Sequence, residues 1–460
     1  MAETRLGRVL RWAVALPSFL MLAVIGGVAA VCGADQPWAP WWLVCAAAGL
    51  AGAGVWRLCG KRLLRAWRAL RLPKWALPAG LFAVFLAVKL VFVFGLRTEQ
   101  QSDFLRIWQA AESIALGDYS FNQGTYWHFF AYQTPFAIYE AVMVKMFGAS
   151  PVPLLAVNAL AMAGVNLLVF LFARRLTRSA VAGLFAGLMY LAYTGPYLLA
   201  GVLTNDHLST FLLYLGAWLG LLAAERLRAS RRWPPWVLAA AAGVVLQLGN
   251  LARPVGPVVC AALAAALVLA PVMRRAQGRP WRPFGIAVAC AAVVLGVYGL
   301  AGVAADAAVT ASGVNPMGAR NNLPEWKLVL GLSADGNSAG PARRIGVYEP
   351  EPPADAQATA RALLKQNLRA FPHRWQTVEE RQLRVLWSQN ETASFQFWPQ
   401  TADERIYEVP DGRRFPLARS LVLLERGLFL PAVLLAAWGV IWMARERRLG
   451  AAAVFLALFV

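Results

Sequence analysis

Long apolar runs divided by short charged stretches dominate the chain. A helix needs about 20 apolar residues to cross a hydrocarbon layer of roughly 30 Å. Runs that meet or approach this length are Leu10–Cys32, Trp38–Val55, Trp75–Leu96, Pro151–Ala173, Ala180–Gly201, Leu208–Ala224, Trp236–Leu251, Val255–Met273, Phe284–Ala304 and Gly427–Ala444. An eleventh begins near Gly450 and reaches only Val460, too short to cross, so the C-terminal span is expected to be incomplete. The first run has basic flanks like a signal peptide, but it is long and has no small-residue cleavage site, so it reads as a helix. The pattern predicts an all-α integral membrane protein, a polytopic bundle of about ten to eleven spans.

Composition agrees. Of 460 residues, 59% are hydrophobic and 15% are charged, and the mean hydropathy is +0.52. An average soluble domain carries about 25% charged residues. Cys32, Cys45, Cys59, Cys260 and Cys290 lie in or near apolar runs without CxxC spacing, so no zinc site or disulfide framework is indicated. Ala-rich stretches such as Ala239–Ala242 suit close helix packing.

The net charge of +20 changes the picture through its placement. Alternate inter-span segments carry 24 basic residues, among them Arg57, Lys61, Arg62, Arg65, Arg174, Arg175, Arg274 and Arg275. The opposite segments before residue 305 hold four, Arg97, Arg106, Lys145 and Arg253. The positive-inside rule puts the first set and the N-terminus in the cytoplasm, facing anionic lipid rather than nucleic acid. Two large segments, 97–150 and 305–426, then lie outside the cytoplasm; the second has 15 basic and 14 acidic residues. His128, His207 and His373 fall on that side too. Lys89 is the one charge well inside a span and is expected to snorkel.

Segment 97–150 reads as two helices. Ser102 or Asp103 can cap a start, Phe104, Ile107, Trp108, Ala111, Ile114 and Ala115 follow at spacings of three and four, and Gly117 stops the run before a turn at Asp118-Tyr119. This amphipathic helix is expected to lie along the membrane interface. A second helix, Pro135–Phe147, ends at Gly148. The aromatic stretch Tyr126–Pro135 joins them.

An acidic residue just past a span, an amphipathic helix ending in Gly, a Tyr-x-x-Pro stretch and a second helix ending in Phe-Gly together resemble the first periplasmic loop of the glycosyltransferase C superfamily. The likeness is to its protein O-mannosyltransferase and lipid A aminoarabinose transferase members, over roughly residues 75–257. Members take a sugar from a polyprenyl-phosphate carrier and pass it to a hydroxyl acceptor. The resemblance implies Asp103 as catalytic base and Tyr132 and Pro135 as the Tyr…Pro stretch, with Tyr126, His128, Tyr132 and Gln133 lining the pocket. Read by itself, Asp103 is equally a helix cap.

Asp206 in Leu203-Thr-Asn-Asp-His-Leu stands where the family often has a second acidic residue, with His207 beside it as a candidate ligand or base. Members often carry an acidic pair there, whereas this chain has Asn205-Asp206, which leaves metal dependence open. The plain readings are a helix cap and a solvated histidine. Arg253, in Arg-Pro254, corresponds to an arginine that holds the lipid phosphate; a planar fork of donors suits that contact, and snorkelling to head groups is the plain alternative.

The large segment is expected to form a mixed loop domain. Asn321–Gly340 reads as an apolar strand-like run followed by a Gly-rich turn, which in the family closes over the site. Ala356–Ala370 is an amphipathic helix broken by Pro372, and Glu379–Trp387 is another. Lys365, Arg369, Arg374, Arg381 and Arg384 form a basic face, for solvent or for an anionic substrate. Asn390-Glu-Thr392 fits a glycosylation pattern that is common by chance.

The expected organisation is 1–74, two extra spans and a basic loop; 75–304, the transferase-like core; 305–426, the large loop domain; and 427–460, the C-terminal spans. The function expected is sugar transfer from a polyprenyl-phosphate donor to an envelope or protein acceptor on the extracytoplasmic face of the cell membrane. An O-antigen ligase or polymerase using a polyprenyl diphosphate is the alternative enzyme, but its first outer loops are short, unlike the roughly 54 residues of 97–150. A non-catalytic transporter would place ionisable groups inside its spans.

Overall fold

The computed structural model describes residues 5–34, 39–69, 71–95, 100, 102–193, 195–229, 234–275, 282–333, 339–383, 416–446 and 450–459. Among them the secondary structure is helical, with no strand. Eight helices are long and apolar enough to cross a membrane: Arg8–Gly27, Ala76–Gly95, Val152–Thr177, Asn205–Arg226, Pro235–Ala252, Gly256–Met273, Phe284–Ala311 and Gly427–Arg445. The chain is a multi-pass, all-α membrane protein.

The main bundle comprises α1 (Arg5–Ala34), α7 (Val152–Thr177), α10 (Asn205–Ala229), α11 (Pro234–Ala252), α12 (Gly256–Arg275), α13 (Arg282–Ala311), α17 (Pro416–Arg445) and α18 (Ala451–Phe459). One core joins them through residues such as Ile25, Phe172, Leu221, Leu246, Leu263, Val294, Val433 and Phe455. The N-terminal helix is therefore part of the bundle, and α2 (Ala39–Ala69) packs on α17 with it. The predicted span from Ala39 to Val55 and the basic stretch as far as Arg68 form this one helix. Outside the main core, α3 (Ala76–Gly95) packs on α7.

The α10–α11 hairpin is held at close range by glycine. A Cβ at Gly216 would lie 2.6 Å from Leu246 Cγ, and one at Gly249 would lie 2.9 Å from Leu213 Cγ. Each glycine thus receives a leucine of the facing helix, and the backbones approach closely. Ser209 Oγ donates to Gly249 O at 2.8 Å, and Asn205 Nδ2 donates to Ala252 O at 2.8 Å. In an apolar surround such bonds fix the register of the two helices.

The predicted span Ala180–Gly201 is not one helix. α8 (Ala180–Ala192) stops one residue before Tyr193, which is extended, and the short α9 (Gly195–Leu198) follows. Pro196 explains the break, because the ring removes a donor and disfavours helix before it. The chain turns inward here: Tyr197 is 4% exposed, packs on Phe92 at 4.4 Å between ring centroids, and donates its hydroxyl to Leu191 O at 2.6 Å. Lys89 does not snorkel. It is fully buried, with Nζ 3.6 Å from the Tyr197 ring centroid and no hydrogen-bond partner among the described residues.

Segments 97–150 and 305–383 gather at one end of the bundle, the loop face. α4 (Ser102–Leu116) buries Ile107, Ala110, Ala111 and Ile114 against α6 (Thr134–Phe147), and Gly117 and Gly148 end the two helices at φ +82° and +81°. The apolar stripe of α4 is thus covered by protein instead of facing the membrane interface. Between them lie α5 (Thr125–Phe129) and a 3-10 turn, Ala131–Gln133.

Where it is described, the large segment has turns and three further helices, α14 (Glu325–Gly331), α15 (Ala339–Ile345) and α16 (Ala356–Leu383). The strand-like run after Pro324 is α14. α16 continues past Pro372, and Leu368, the residue whose carbonyl loses its helical partner, is exposed. Trp326, Leu323, Ala342 and Ala360 pack on Phe129 and Phe130, so the large segment rests on the first one. The predicted Gly-rich turn falls in part, and Arg384 and Asn390–Thr392 wholly, outside the described residues.

Candidate functional site

The site lies where the aromatic stretch meets the loop-face ends of α10 and α11. Thr204 begins it: its hydroxyl accepts the Asp206 N–H at 3.1 Å and contacts Asp206 Oδ2 at 3.1 Å. Thr204 is thus the residue that caps α10, and Asp206, in the first turn, is freed for other use. Its carboxylate forms an ion pair with Nη1 of Arg253. Arg253 follows α11 directly, in the turn before Pro254, with its backbone N–H bonded to Gly249 O at 3.0 Å. Its side chain is about half exposed, and its remaining guanidinium donors have no hydrogen-bond partner among the described residues.

From this pair a polar chain runs to Asp103. Asn205 Nδ2, besides its bond to Ala252 O, reaches Gln133 Oε1 at 3.4 Å. Gln133 Nε2 reaches the Tyr126 hydroxyl at 3.5 Å. Tyr126 in turn lies near enough to Asp103 for the carboxylate charge to act on its phenol, and the Arg106 guanidinium lies 5.0 Å from the Tyr126 ring centroid. Burial, then the Asp103 charge, hold the Tyr126 phenol above its ordinary value, so it stays protonated. Asp103 itself is exposed at the start of α4.

Tyr132 stands between the two charges. Burial and Asp103 raise its phenol, and Arg253 lowers it. Burial pulls the Arg253 guanidinium below its ordinary value, opposed by Tyr132. A second cation, Lys327 of α14, is held below the ordinary lysine value by burial and by Arg253, against the pull of Asp103. Lys327 is brought there by its neighbours: Trp326 lies 6.4 Å from Phe130 between ring centroids, Asn322 N donates to Phe129 O at 3.1 Å, and Asn322 Nδ2 donates to His128 O at 2.8 Å. Sequence reasoning gave Lys327 no role. Its one signal was a lone cation in the apolar run Leu323–Leu332.

Asp103, Tyr126, Tyr132, Gln133, Asp206 and Arg253 therefore form one connected group. His128 does not join it by any described contact. Its ring is edge-on to Phe129 at 5.3 Å, and burial lowers its imidazole from the ordinary value. His207 is 7% exposed, not solvated, with Nε2 3.4 Å from Leu199 O.

Two cavities flank the Asp206–Arg253 pair. One, of about 250 Å³, is lined by Asp206, His207, Tyr190, Tyr193 and Pro196. The other, of about 420 Å³, is lined by Tyr132, Pro254 and groups of α11 and α13. Asp103 lines neither, and reaches the rest through Tyr126 and Tyr132. Among the described residues no three His, Cys, Asp or Glu side chains are grouped to hold a metal ion. The arrangement offers an exposed carboxylate for accepting a proton and two cations for an anionic group, one of them already balanced by Asp206. No protein-family model, curated protein or solved structure matches the chain.

Proposed function

We propose that this chain is a membrane glycosyltransferase that moves a sugar from a polyprenyl-phosphate donor to a hydroxyl acceptor on the extracytoplasmic face. The observation that carries the reading is that Arg253, Asp206, Asn205, Gln133, Tyr126 and Asp103, from separate segments, come together at the loop face, with a half-exposed guanidinium and an exposed carboxylate among them. The acceptor oxygen attacks the anomeric carbon as its proton passes to Asp103. The bond from that carbon to the phosphate oxygen breaks, and the lipid phosphate leaves with its negative charge balanced by Arg253 and Lys327. Tyr126 lies beside the carboxylate, and Asp206 holds the guanidinium ready for a two-pronged contact.

Membranes carrying the protein are given radiolabelled polyprenyl-phosphate sugars, and transfer of label is followed. Asp103→Asn is expected to lower transfer by about 10²–10⁴-fold with expression unchanged. Undiminished transfer removes Asp103 as the base. A tag at residue 118 protected from external protease in whole cells removes the assigned face.

Lys89 favours a second reading, a transporter, because a buried ionisable group within a span commonly marks a substrate or ion path. That reading expects Lys89→Met to abolish solute uptake by proteoliposomes, and Asp103→Asn to leave it intact.

A further inference from the structure

The 420 Å³ cavity lies between the loop-face half of α13 and the end of α11, roofed by residues 319–321. Its volume is that of a small-molecule site. Its wall is largely apolar, with two carboxamides set into it, Gln247 and Asn250. Gln247 is 5% exposed within the apolar α11, yet its amide has no hydrogen-bond partner among the described residues. Glycine at 302 makes the room: a Cβ there would sit 3.1 Å from Gln247 Nε2 and 3.5 Å from Oε1. Asn250 lines the cavity one turn on, with Oδ1 accepting from Gly256 N at 3.1 Å. Tyr298 faces them from α13, and Tyr132 closes the side toward Asp103. The rim is braced: Asp306 accepts from Arg320 Nε at 2.6 Å and from Ala319 N at 2.9 Å, and pairs with Arg320 Nη2 at 2.5 Å.

These groups select the occupant. A buried primary amide offers both donors and an acceptor, and an apolar chain placed there would leave it unpaired. A phosphate would find one cation in the lining, Arg320, two of whose donors are taken by Asp306. Neutral carboxamides and phenol hydroxyls beside aromatic rings suit an uncharged ring bearing several hydroxyls. We propose that the cavity at Gln247, Asn250 and Tyr298 is a binding site for a neutral sugar ring, set beside the Asp103–Arg253 centre by Tyr132 and Pro254. This rests on the transferase reading for its role and on the cavity for its chemistry.

The test uses the full chain in nanodiscs, saturation-transfer NMR, and two probes: methyl glycosides of hexoses and pentoses, and a short-chain polyprenyl-phosphate sugar. At least one glycoside is expected to bind wild type. Gln247→Leu weakens that binding about five-fold, the effect of one neutral hydrogen bond. Gly299→Leu abolishes it, because Gly299 lines the cavity with nothing within 4 Å of its Cβ position, so the added side chain fills the space without a backbone clash. Unchanged size-exclusion profiles establish that both variants fold. Glycoside displaced by the lipid-linked sugar assigns the ring to the donor; glycoside retained beside it assigns the ring to the acceptor. Absence of glycoside binding to wild type, or binding indifferent to both substitutions, overturns the proposal. Absence of label transfer by wild type sinks the transferase reading instead and leaves the cavity standing.

Discussion

Gly216→Ala is a sharp probe of the packing that sets the site. The new Cβ would lie 2.6 Å from Leu246 Cγ and 2.9 Å from Leu246 Cδ2. Carbon atoms rest at about 3.5–4.0 Å, so α11 must back away from α10 by about 1 Å, or Leu246 must leave its rotamer. Overpacking of this kind costs typically 1–3 kcal/mol. The better helix propensity of alanine returns at most about 1 kcal/mol. The net loss is therefore about 1 kcal/mol, despite a substitution that looks harmless in a membrane helix. Thermal unfolding of the purified protein, followed by loss of the monodisperse size-exclusion peak, reads it as a lower midpoint. The partner substitution supplies the refutation. Leu246→Ala alone leaves a cavity and destabilises, but in Gly216→Ala/Leu246→Ala the clash is gone, so the double variant should lose less than the sum of the singles. Strict additivity, or a neutral Gly216→Ala, would refute the close crossing. Gly285→Ala, with nothing within 4 Å of its Cβ position, serves as the silent control.

Glu140 on α6 is fully buried with both carboxylate oxygens unpartnered among the described residues, and burial raises its pKa well above the ordinary carboxylate value. Beside it, burial and Glu140 push the Tyr139 phenol up to about 12. The folded form thus keeps a proton that the unfolded chain releases above its ordinary value near 4.5, and stability falls as pH rises from there toward the folded pKa, by up to about 1.4 kcal/mol per unit. Glu140→Gln should flatten this dependence, matching wild type near pH 4 and surpassing it at pH 8 in thermal scans; parallel curves would discard the buried acid. Trp326→Ala should undock α14 at a cost of about 3–5 kcal/mol, seen as faster proteolysis within 321–345 while the spans stay intact. Unchanged cleavage would show that α14 is held by other contacts.

Features governed by neighbours in the chain were legible in the sequence. Gly117 and Gly148 end α4 and α6 because each takes a positive φ that other residues resist, and this can be read locally. The break after Ala192 was missed because hydropathy ignores Pro196, and the continuity of α16 was missed because Pro372 was weighed without knowing that Leu368, one turn before it, is exposed. Lys89 was misread because the ring that covers it belongs to a helix more than a hundred residues away. Asp103, Asp206 and Arg253 stood out as charges beside spans, but their connection runs through uncharged groups, Asn205 and Gln133, which no charge pattern flags. Lys327 and Gln247 depend wholly on tertiary placement.

Asp206 and Arg253 ride on one rigid unit, the α10–α11 hairpin, while Asp103 and both tyrosines ride on another, the α4–α6 pair. The two units also share a core: Ala252 and Leu208 of the hairpin pack with Ile107, Ala111 and Phe136, and Gln133 reaches Asn205 at 3.4 Å. The spacing between the carboxylate and the guanidinium is therefore set by apolar packing beneath them, and enlarging Ala252 would widen it without touching either charge.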